Sequence, residues 1–391
     1  MNILYIGAFR LPNYDAAAAR VLNVAKALRE CGHQVTFISW GGRYRKEDLA
    51  NEGFYYVDGF RYIITSELNT NGSFVSKLYN RFTRGRKTKR LLNNWGEIID
   101  AIITYNGSLT LWLLKFCRVR NIKLINDITE WYSYAELRPS EWIPYACNMF
   151  CIQKRVKNKI VISSYLNRFY NNNHNVVVPA TCDSSESKWH KILIVSNDFI
   201  REFDGITLVY AGNPARKDLV HFVVNAVHRL AEEGESIRFF IIGTTRENYI
   251  SHYASELHTK QLNQNIIFIG RVPQELIPSF YRCSDFMVLL RAQTRKSNAG
   301  FPTKFSESFT SGTPVIANLT SDLDRYLEDG KTGFVVGEPS ENAIYQTLRE
   351  KVLPLSRMDI ATLKHNVIDV AKQLDYRAYI AQLHAFMINL Q

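Results

Sequence analysis

GFPTKFSESFTSGTPVIAN, residues Gly300 to Asn318, follows an apolar run, FMVLL (Phe286–Leu290), and ends in another, PVIAN (Pro314–Asn318). Between the runs, Pro302 suits the first position of a helix, where its missing N–H costs nothing. The spacing predicts a helix over Thr303–Thr310, closed by Gly312. Strand, polar loop, helix and strand together make the repeating unit of a parallel sheet covered by helices. The fold class that follows is α/β.

The same alternation continues on both sides. TGFVV (Thr332–Val336) and a run of helices follow it. Before it come ITLVYAG (Ile206–Gly212), a helix over Lys217–Glu233, IRFFIIG (Ile237–Gly243), a helix from about Arg246 to Leu262, IIFIG (Ile266–Gly270) and a helix over Pro273–Cys283. An earlier, separate alternation opens the chain. NILYIG (Asn2–Gly7) reads as a buried strand, not as a signal peptide. A helix from about Asp15 to Cys31 follows, with Val21, Val24, Ala25 and Leu28 on one face and Gly32 as a left-handed cap. HQVTFIS (His33–Ser39), Ala101–Thr104, Lys123–Asn126, Lys159–Ile162 and Val176–Val178 are further strands. The seam falls in the polar stretch near Thr181 to Asp204. This gives a domain over 1–188, completed by a returning helix over 376–391, and a second over 189–375. In open parallel sheets, ligands sit at the carboxyl ends of the strands.

A length of 391 residues suits two domains, and 46% hydrophobic with 22% charged residues is ordinary for a globular chain. The most apolar stretch, Ile98 to Phe116, is broken by Asp100, Asn106, Ser108 and Lys115, which argues against a membrane-spanning helix. The six cysteines are scattered and read as buried free thiols of a reducing compartment, hence a cytoplasmic protein. The net charge of +11 is concentrated between Lys77 and Arg90, where seven basic residues meet no acidic one. Tyr79, Phe82, Leu91, Leu92 and Trp95 interleave with them. The segment fits either a solvated face or peripheral contact with anionic lipid headgroups. No groove-reading motif accompanies it, so nucleic acid is not the expected partner.

A helix N-terminus carries about half a positive charge and free N–H groups, which makes it a ready site for phosphate. Gly300, Phe301, Pro302, Thr303 and Lys304 surround such a start, and Lys304 adds a cation. Glu307, one turn on, can accept both hydroxyls of a ribose. Arg216 and Lys217 stand near the start of another helix, where cations are unfavourable unless an anion meets them. No GxGxxG follows either opening strand and no GxxxxGK[ST] occurs, which disfavours a dinucleotide oxidoreductase and a P-loop kinase.

GFPTKFSESFTSGTPVIAN resembles the C-terminal signature of retaining glycosyltransferases of family 4, which have the GT-B fold of two Rossmann-like doubly wound domains facing a central cleft. Their pattern is two spaced glutamates, a glycine and PVIA. NILYIGAF with RVLNVAKALRECGHQVTFIS, VVVPATCD (Val176–Asp183), LVYAGNPARKD (Leu208–Asp218), IGRVPQELIPSFYRCSDFMVLL (Ile269–Leu290) and DGKTGFVV (Asp329–Val336) resemble further family segments in order. The resemblance implies a sugar transferred from a nucleotide diphosphate sugar, UDP- or GDP-linked, with retained configuration and with no metal or other cofactor. It implies a saccharide or lipid-linked acceptor, as in bacterial lipopolysaccharide or capsule synthesis. Arg216, Lys217 and Glu307 become the catalytic candidates. Gly212, Arg271, Val272 and the residues Gly300 to Lys304 become donor contacts.

Two departures stand out. Ala299 occupies the position of the first glutamate, the ligand of the donor sugar, and Ala16 to Ala19 replace the usual glycines of the first loop. Acceptor contacts fall to Ala17, to Arg20 as a charge facing the ligand, and to Asp127 and Glu130 of NDITEW; a helix cap at Asp127 or Thr129 is the alternative. Asp322-Leu323-Asp324 reads as a capping-box variant begun by Ser321, not as a metal site. The rival functions are a sugar-nucleotide epimerase and a non-catalytic nucleotide-binding or partner-docking relative.

Overall fold

The computed structural model describes residues 1–12, 15–40, 53–66, 85–171, 174–191, 203–214, 218–259 and 261–391. The chain divides into two units, Met1–Thr181 with Tyr376–Gln391, and Cys182–Asp375. The division precedes the expected boundary at 188 because the stretch after Thr181 bonds into the second unit. There the Cys182 N–H donates to the Leu374 carbonyl (2.9 Å) and Arg282 donates to the Trp189 carbonyl (2.6 Å).

Unit 1 contains β1 (Asn2–Gly7), β2 (Gln34–Trp40), β3 (Tyr55–Val57), β4 (Phe60–Ser66), β5 (Ala101–Tyr105), β6 (Lys123–Ile128), β7 (Asn158–Val161) and β8 (Asn175–Val177). They form one sheet in the order β3-β4-β2-β1-β5-β6-β7-β8, parallel except for the β3–β4 hairpin. The chain grows from β1 to one side, then returns to add β5 on the other. The strand order therefore reverses between β1 and β5.

The Ala16–Glu30 helix starts where the Asp15 carboxylate accepts the Ala18 N–H, and it ends ahead of Gly32 at φ +80°. Its Val21, Val24, Ala25 and Leu28 pack with Tyr5, Phe37 and Ile103 of the sheet. Tyr376, Leu383 and Met387 from the returning segment join the same core, so the Ile380–Ile388 helix covers this unit. On the opposite face, Leu4, Ile38 and Ile102 meet Leu113 and Phe116 of the Thr110–Arg120 helix and Leu92 of a helix over 85–93.

Unit 2 is built from β9 (Ile206–Ala211), β10 (Ile237–Ile242), β11 (Ile266–Gly270), β12 (Phe286–Leu289), β13 (Val315–Asn318) and β14 (Gly333–Val336). Their order is β11-β10-β9-β12-β13-β14 and every pair is parallel. Here the order reverses between β9 and β12.

Three elements depart from the sequence reading. The β3–β4 hairpin was not foreseen; Asp58 (φ +49°) and Gly59 (φ +80°) form the kind of turn that joins antiparallel strands. The helix expected over Arg246–Leu262 stops at His252, and the chain beyond it is held in turns, with Asn225 donating to the Glu256 carbonyl (3.0 Å). The polar loop before Gly300 contains a short helix, Arg295–Ala299, whose start is capped by Thr294. Among the described residues no helix is long and apolar enough to cross a membrane.

Candidate functional site

At the carboxyl edge of the unit 2 sheet, β9, β10 and β11 each run into a glycine. Gly212, Gly243 and Gly270 all have positive φ (+136°, +113° and +76°), a region open to glycine at little cost. The Gly212 N–H donates to the Ile242 carbonyl (2.9 Å) and the Gly243 N–H to the Gly270 carbonyl (2.6 Å). A Cβ on Gly243 would lie 2.6 Å from the Gly212 carbonyl oxygen, so the loops meet backbone to backbone. Beside them opens a pocket of about 630 Å³, lined by Asn213, Pro214, Thr244, Tyr249 and Arg271 among others. Val272 follows Arg271 and is half-buried.

The β9–β12 reversal holds a buried charge cluster. Asp218, 1% exposed, accepts from Lys304 Nζ (2.6 Å), Arg291 Nε (3.1 Å) and the Tyr210 hydroxyl (2.7 Å). Lys304 also donates to the Tyr210 hydroxyl (2.9 Å). Burial pushes the Asp218 carboxyl up, but Lys304 and Arg291 more than offset this and hold it well below the usual range. One carboxylate thus faces two cations, a surplus of positive charge. Burial in turn lowers the Lys304 ammonium, and Asp218 restores part of the loss. The Lys304 side chain lies across Gly212, where a Cβ would sit 2.5 Å from Lys304 Cε. Gly212 and Lys304, far apart in the chain, form one structure.

The Thr303–Thr310 helix begins at this cluster. Pro302 is its N-cap rather than its first helical residue, and Gly312 (φ +73°) follows its end. Helix geometry leaves the first N–H groups, at Thr303 and Lys304, without intrahelical acceptors. One turn on, burial pushes Glu307 up to about 7, with Lys188 and Lys304 pulling weakly the other way. Gly300 is half-buried, while Phe301 and Pro302 are buried, with the Phe301 ring against Phe305 and Tyr326. Ala299 is fully buried at the end of its short helix. Arg216 and Lys217 lie outside the described residues.

Asp218, Arg291, Tyr210 and Gly243 were not singled out from the sequence. The signal for the glycines was present, since three successive strands end in one. Asp218 closes the quoted segment LVYAGNPARKD, but nothing in one dimension joins it to Lys304.

In unit 1, two residues expected to contact an acceptor contact each other instead. Arg20 donates to Asp127 from Nε (3.1 and 3.2 Å) and Nη2 (2.8 Å), and from Nη1 to the Val178 and Pro179 carbonyls (2.8 and 2.9 Å). The Tyr5 hydroxyl also donates to Asp127. The side chains of Arg20 and Asp127 are 3% and 0% exposed. Arg20 therefore presents no free charge, and Asp127 lies within β6 rather than at a helix cap. Glu130 is half-buried and accepts from the Tyr132 hydroxyl. Ala17 sits half-buried in the first turn of its helix.

Three further expectations are corrected. Residues 77–84 of the basic segment lie outside the described residues, and Arg86, Lys87 and Arg90 are exposed. Leu91, Leu92 and Trp95, however, pack into the core and do not interleave with those charges at the surface. Ser321 does not cap: its hydroxyl is buried without a partner, and Asp322 starts the turn over Leu323–Arg325. Only Cys117 and Cys182 are buried, whereas Cys147 and Cys151 are exposed. Among the described residues no three His, Cys, Asp or Glu side chains cluster as metal ligands.

Known structures share this architecture over the whole chain. Sucrose-phosphate synthase from Thermosynechococcus elongatus is 16% identical and superposes with a TM-score of 0.74, covering 99% of this chain and 98% of that one. The fold is GT-B. Another GT-B structure, Anabaena HepE in complex with UDP and glucose, is 14% identical with a TM-score of 0.69 and covers 100% of both chains. A third structure, trehalose-6-phosphate from E. coli bound with UDP-2-fluoro glucose, is 11% identical, with a TM-score of 0.69 and the same coverage. By sequence, residues 205–352 match the family model described as glycosyl transferases group 1. That segment contains the glycine-edged pocket, Asp218, Lys304 and Glu307. No curated protein matches the chain by sequence.

Proposed function

We propose that the protein is a retaining glycosyltransferase that moves a hexose from a UDP- or GDP-linked donor to a saccharide or lipid-linked acceptor. Its role is in surface-polysaccharide synthesis, at the cytoplasmic face of a membrane. The observation that carries this reading is the surplus of positive charge at the β9–β12 reversal, where Lys304 and Arg291 outnumber Asp218. The base occupies the pocket lined by Arg271, with Val272 next to it in the chain. The diphosphate meets Lys304 and the N–H groups of Thr303 and Lys304, with Arg216 and Lys217 as further cations. The ribose hydroxyls donate to Glu307. As the bond to the sugar breaks, charge grows on the departing diphosphate, and fixed cations and dipoles stabilise it without reorganising. These groups take the place of a metal in this reading. On the acceptor side, Glu130 and Ala17 remain available, while Arg20 and Asp127 position β6 and the start of the helix. Exclusion of water suppresses hydrolysis.

Calorimetric titration with UDP and GDP, then a turnover assay across UDP- and GDP-sugars with lipid-linked acceptors, tests the proposal. Lys217→Ala and Glu307→Ala should each lower turnover at least about tenfold; normal transfer by both variants would overturn the site assignment. The buried Ala299 favours a second reading, a relative that binds nucleotide without turnover, and binding with no transfer to any acceptor would select it. Conversion of a nucleotide sugar with no acceptor present would instead point to an epimerase.

A further inference from the structure

Unit 1 presents an apolar face that its core does not use. After β6 the chain forms a continuous helical run, α over Trp142–Ala146, π over Cys147–Ile152 and 3-10 over Gln153–Arg155. Met149 and Gln153 point inward. Outward stand Trp142 (42% exposed), Ile143 (76%) and Phe150 (42%), with Tyr134 (46%) against the Trp142 ring and Cys147 and Cys151 exposed on the same run. Scattered exposed apolar side chains are normal; a contiguous group of this kind marks an interaction surface.

We infer that this face enters the headgroup layer of an anionic lipid bilayer. Two features select a bilayer over a protein partner. The run leads into exposed cations, Lys154, Arg155 and Lys157, which outnumber the two acids ahead of it, Glu136 and Glu141. Apolar residues in the middle and cations at one end match the layering of an anionic interface. The polar atom of the largest exposed ring is also already satisfied. The Trp142 indole N–H donates to the Tyr134 carbonyl (2.9 Å), so the ring can enter an apolar layer without stranding a donor. Phe150 is braced from behind by Trp131 and Phe169, at ring distances of 6.0 and 5.5 Å. Trp131 and Tyr132, which follow Glu130 beyond the carboxyl end of β6, meet Phe150 and Tyr145 of the run, so a lipid-borne acceptor would arrive at that edge. The membrane contact stands on this geometry alone; only its link to the acceptor rests on the transferase reading.

Flotation of the full chain with vesicles of phosphatidylcholine, with and without phosphatidylglycerol, tests the inference. The native protein should float with the anionic vesicles. Trp142→Ser/Ile143→Ser/Phe150→Ser should weaken partitioning at least about tenfold, and each of Lys154→Gln, Arg155→Gln and Lys157→Gln about fivefold. The thermal midpoint of each variant, held near the native value, shows that the fold is intact. Anionic vesicles should also slow maleimide labelling of Cys147 and Cys151 severalfold. Unchanged flotation of the triple variant, unchanged labelling, or binding that ignores phosphatidylglycerol would each overturn the proposal. So would a concentration-dependent dimer, seen by sedimentation, that the triple variant dissolves. UDP titration is read separately, so vesicle binding without UDP binding would retain the surface and reject the transferase reading.

Discussion

Both units bury an aspartate against cations near the reversal of a doubly wound sheet, and the two clusters are balanced differently. In unit 1, Asp127 meets one cation, Arg20, whose remaining donors go to the Val178 and Pro179 carbonyls. Nothing is left over. In unit 2, Asp218 meets both Lys304 and Arg291, and the excess charge stands beside a helix start and an open pocket. A closed pair holds strands together, whereas an unbalanced cluster leaves positive charge that the proposed function gives to an anion from outside. The same fold thus supplies a brace in one unit and a candidate binding site in the other.

The largest expected effect breaks the brace. Asp127→Ala leaves the Arg20 guanidinium buried and unpaired, which should destabilise unit 1 by about 3–5 kcal/mol in denaturant unfolding. Nucleotide affinity, which the proposed function assigns to unit 2, should survive wherever the protein remains folded. A loss under 1 kcal/mol would mean that the pair is not sealed. Lys304→Ala attacks the other cluster. Arg291 still faces Asp218, so stability should change less, while UDP affinity should fall ten- to hundredfold, roughly 1.5–3 kcal/mol. Equal UDP affinity by calorimetry would refute the surplus-charge account.

Gly243→Ala tests the glycine edge. A Cβ 2.6 Å from the Gly212 carbonyl, at φ +113°, should cost about 1–2 kcal/mol of stability and shift the loop that Lys304 crosses. A variant with native melting and native UDP affinity would show that the loops have slack. The smallest effect is a proton. Burial keeps Glu307 protonated up to about 7, against the ordinary 4.5. The group is neutral in folded and unfolded chains below 4.5 and ionised in both above 7, so its burden on the fold grows as pH rises through that window. Glu307→Gln should therefore gain stability relative to the native chain between pH 5 and pH 8. If ribose hydroxyls donate to the ionised carboxylate, as proposed, native UDP affinity should rise between pH 6 and pH 8, by up to about tenfold relative to Glu307→Gln. Identical pH profiles for the two proteins would remove Glu307 from the site.

Much of this molecule is readable one strand at a time. Asn2–Gly7, Ile266–Gly270 and Thr303–Thr310 fall where apolar runs, terminal glycines and helix periodicity place them. The β3–β4 hairpin escaped because YYV and FRYIITS are not purely apolar, although Asp58-Gly59 between them is a turn signal. Tyr253 and Leu257 keep helical spacing past His252, yet they meet the core from turns. The site was half legible. Lys304 and Glu307 share a helix start and could be found together, whereas the Asp218 partner that fixes Lys304 belongs to another strand–helix unit. The Arg20–Asp127 pairing was hidden for the same reason. A charge written beside small residues looks available until the fold brings its counter-ion.

The passage of the chain between units has a bearing on how the protein is made. It leaves unit 1 after Thr181 and re-enters at Tyr376, and the two crossings lie side by side, with Cys182 bridged to Asp375. Unit 2 is thus continuous in sequence and unit 1 is not. During vectorial synthesis every strand of unit 1 emerges early, but Tyr376, Leu383 and Met387, which cover the Ala16–Glu30 helix, emerge only after all of unit 2. The later-born unit can finish folding first, while the earlier-born one waits with an apolar helix face uncovered. Nascent chains arrested before Tyr376 should therefore be the ones that chaperones hold.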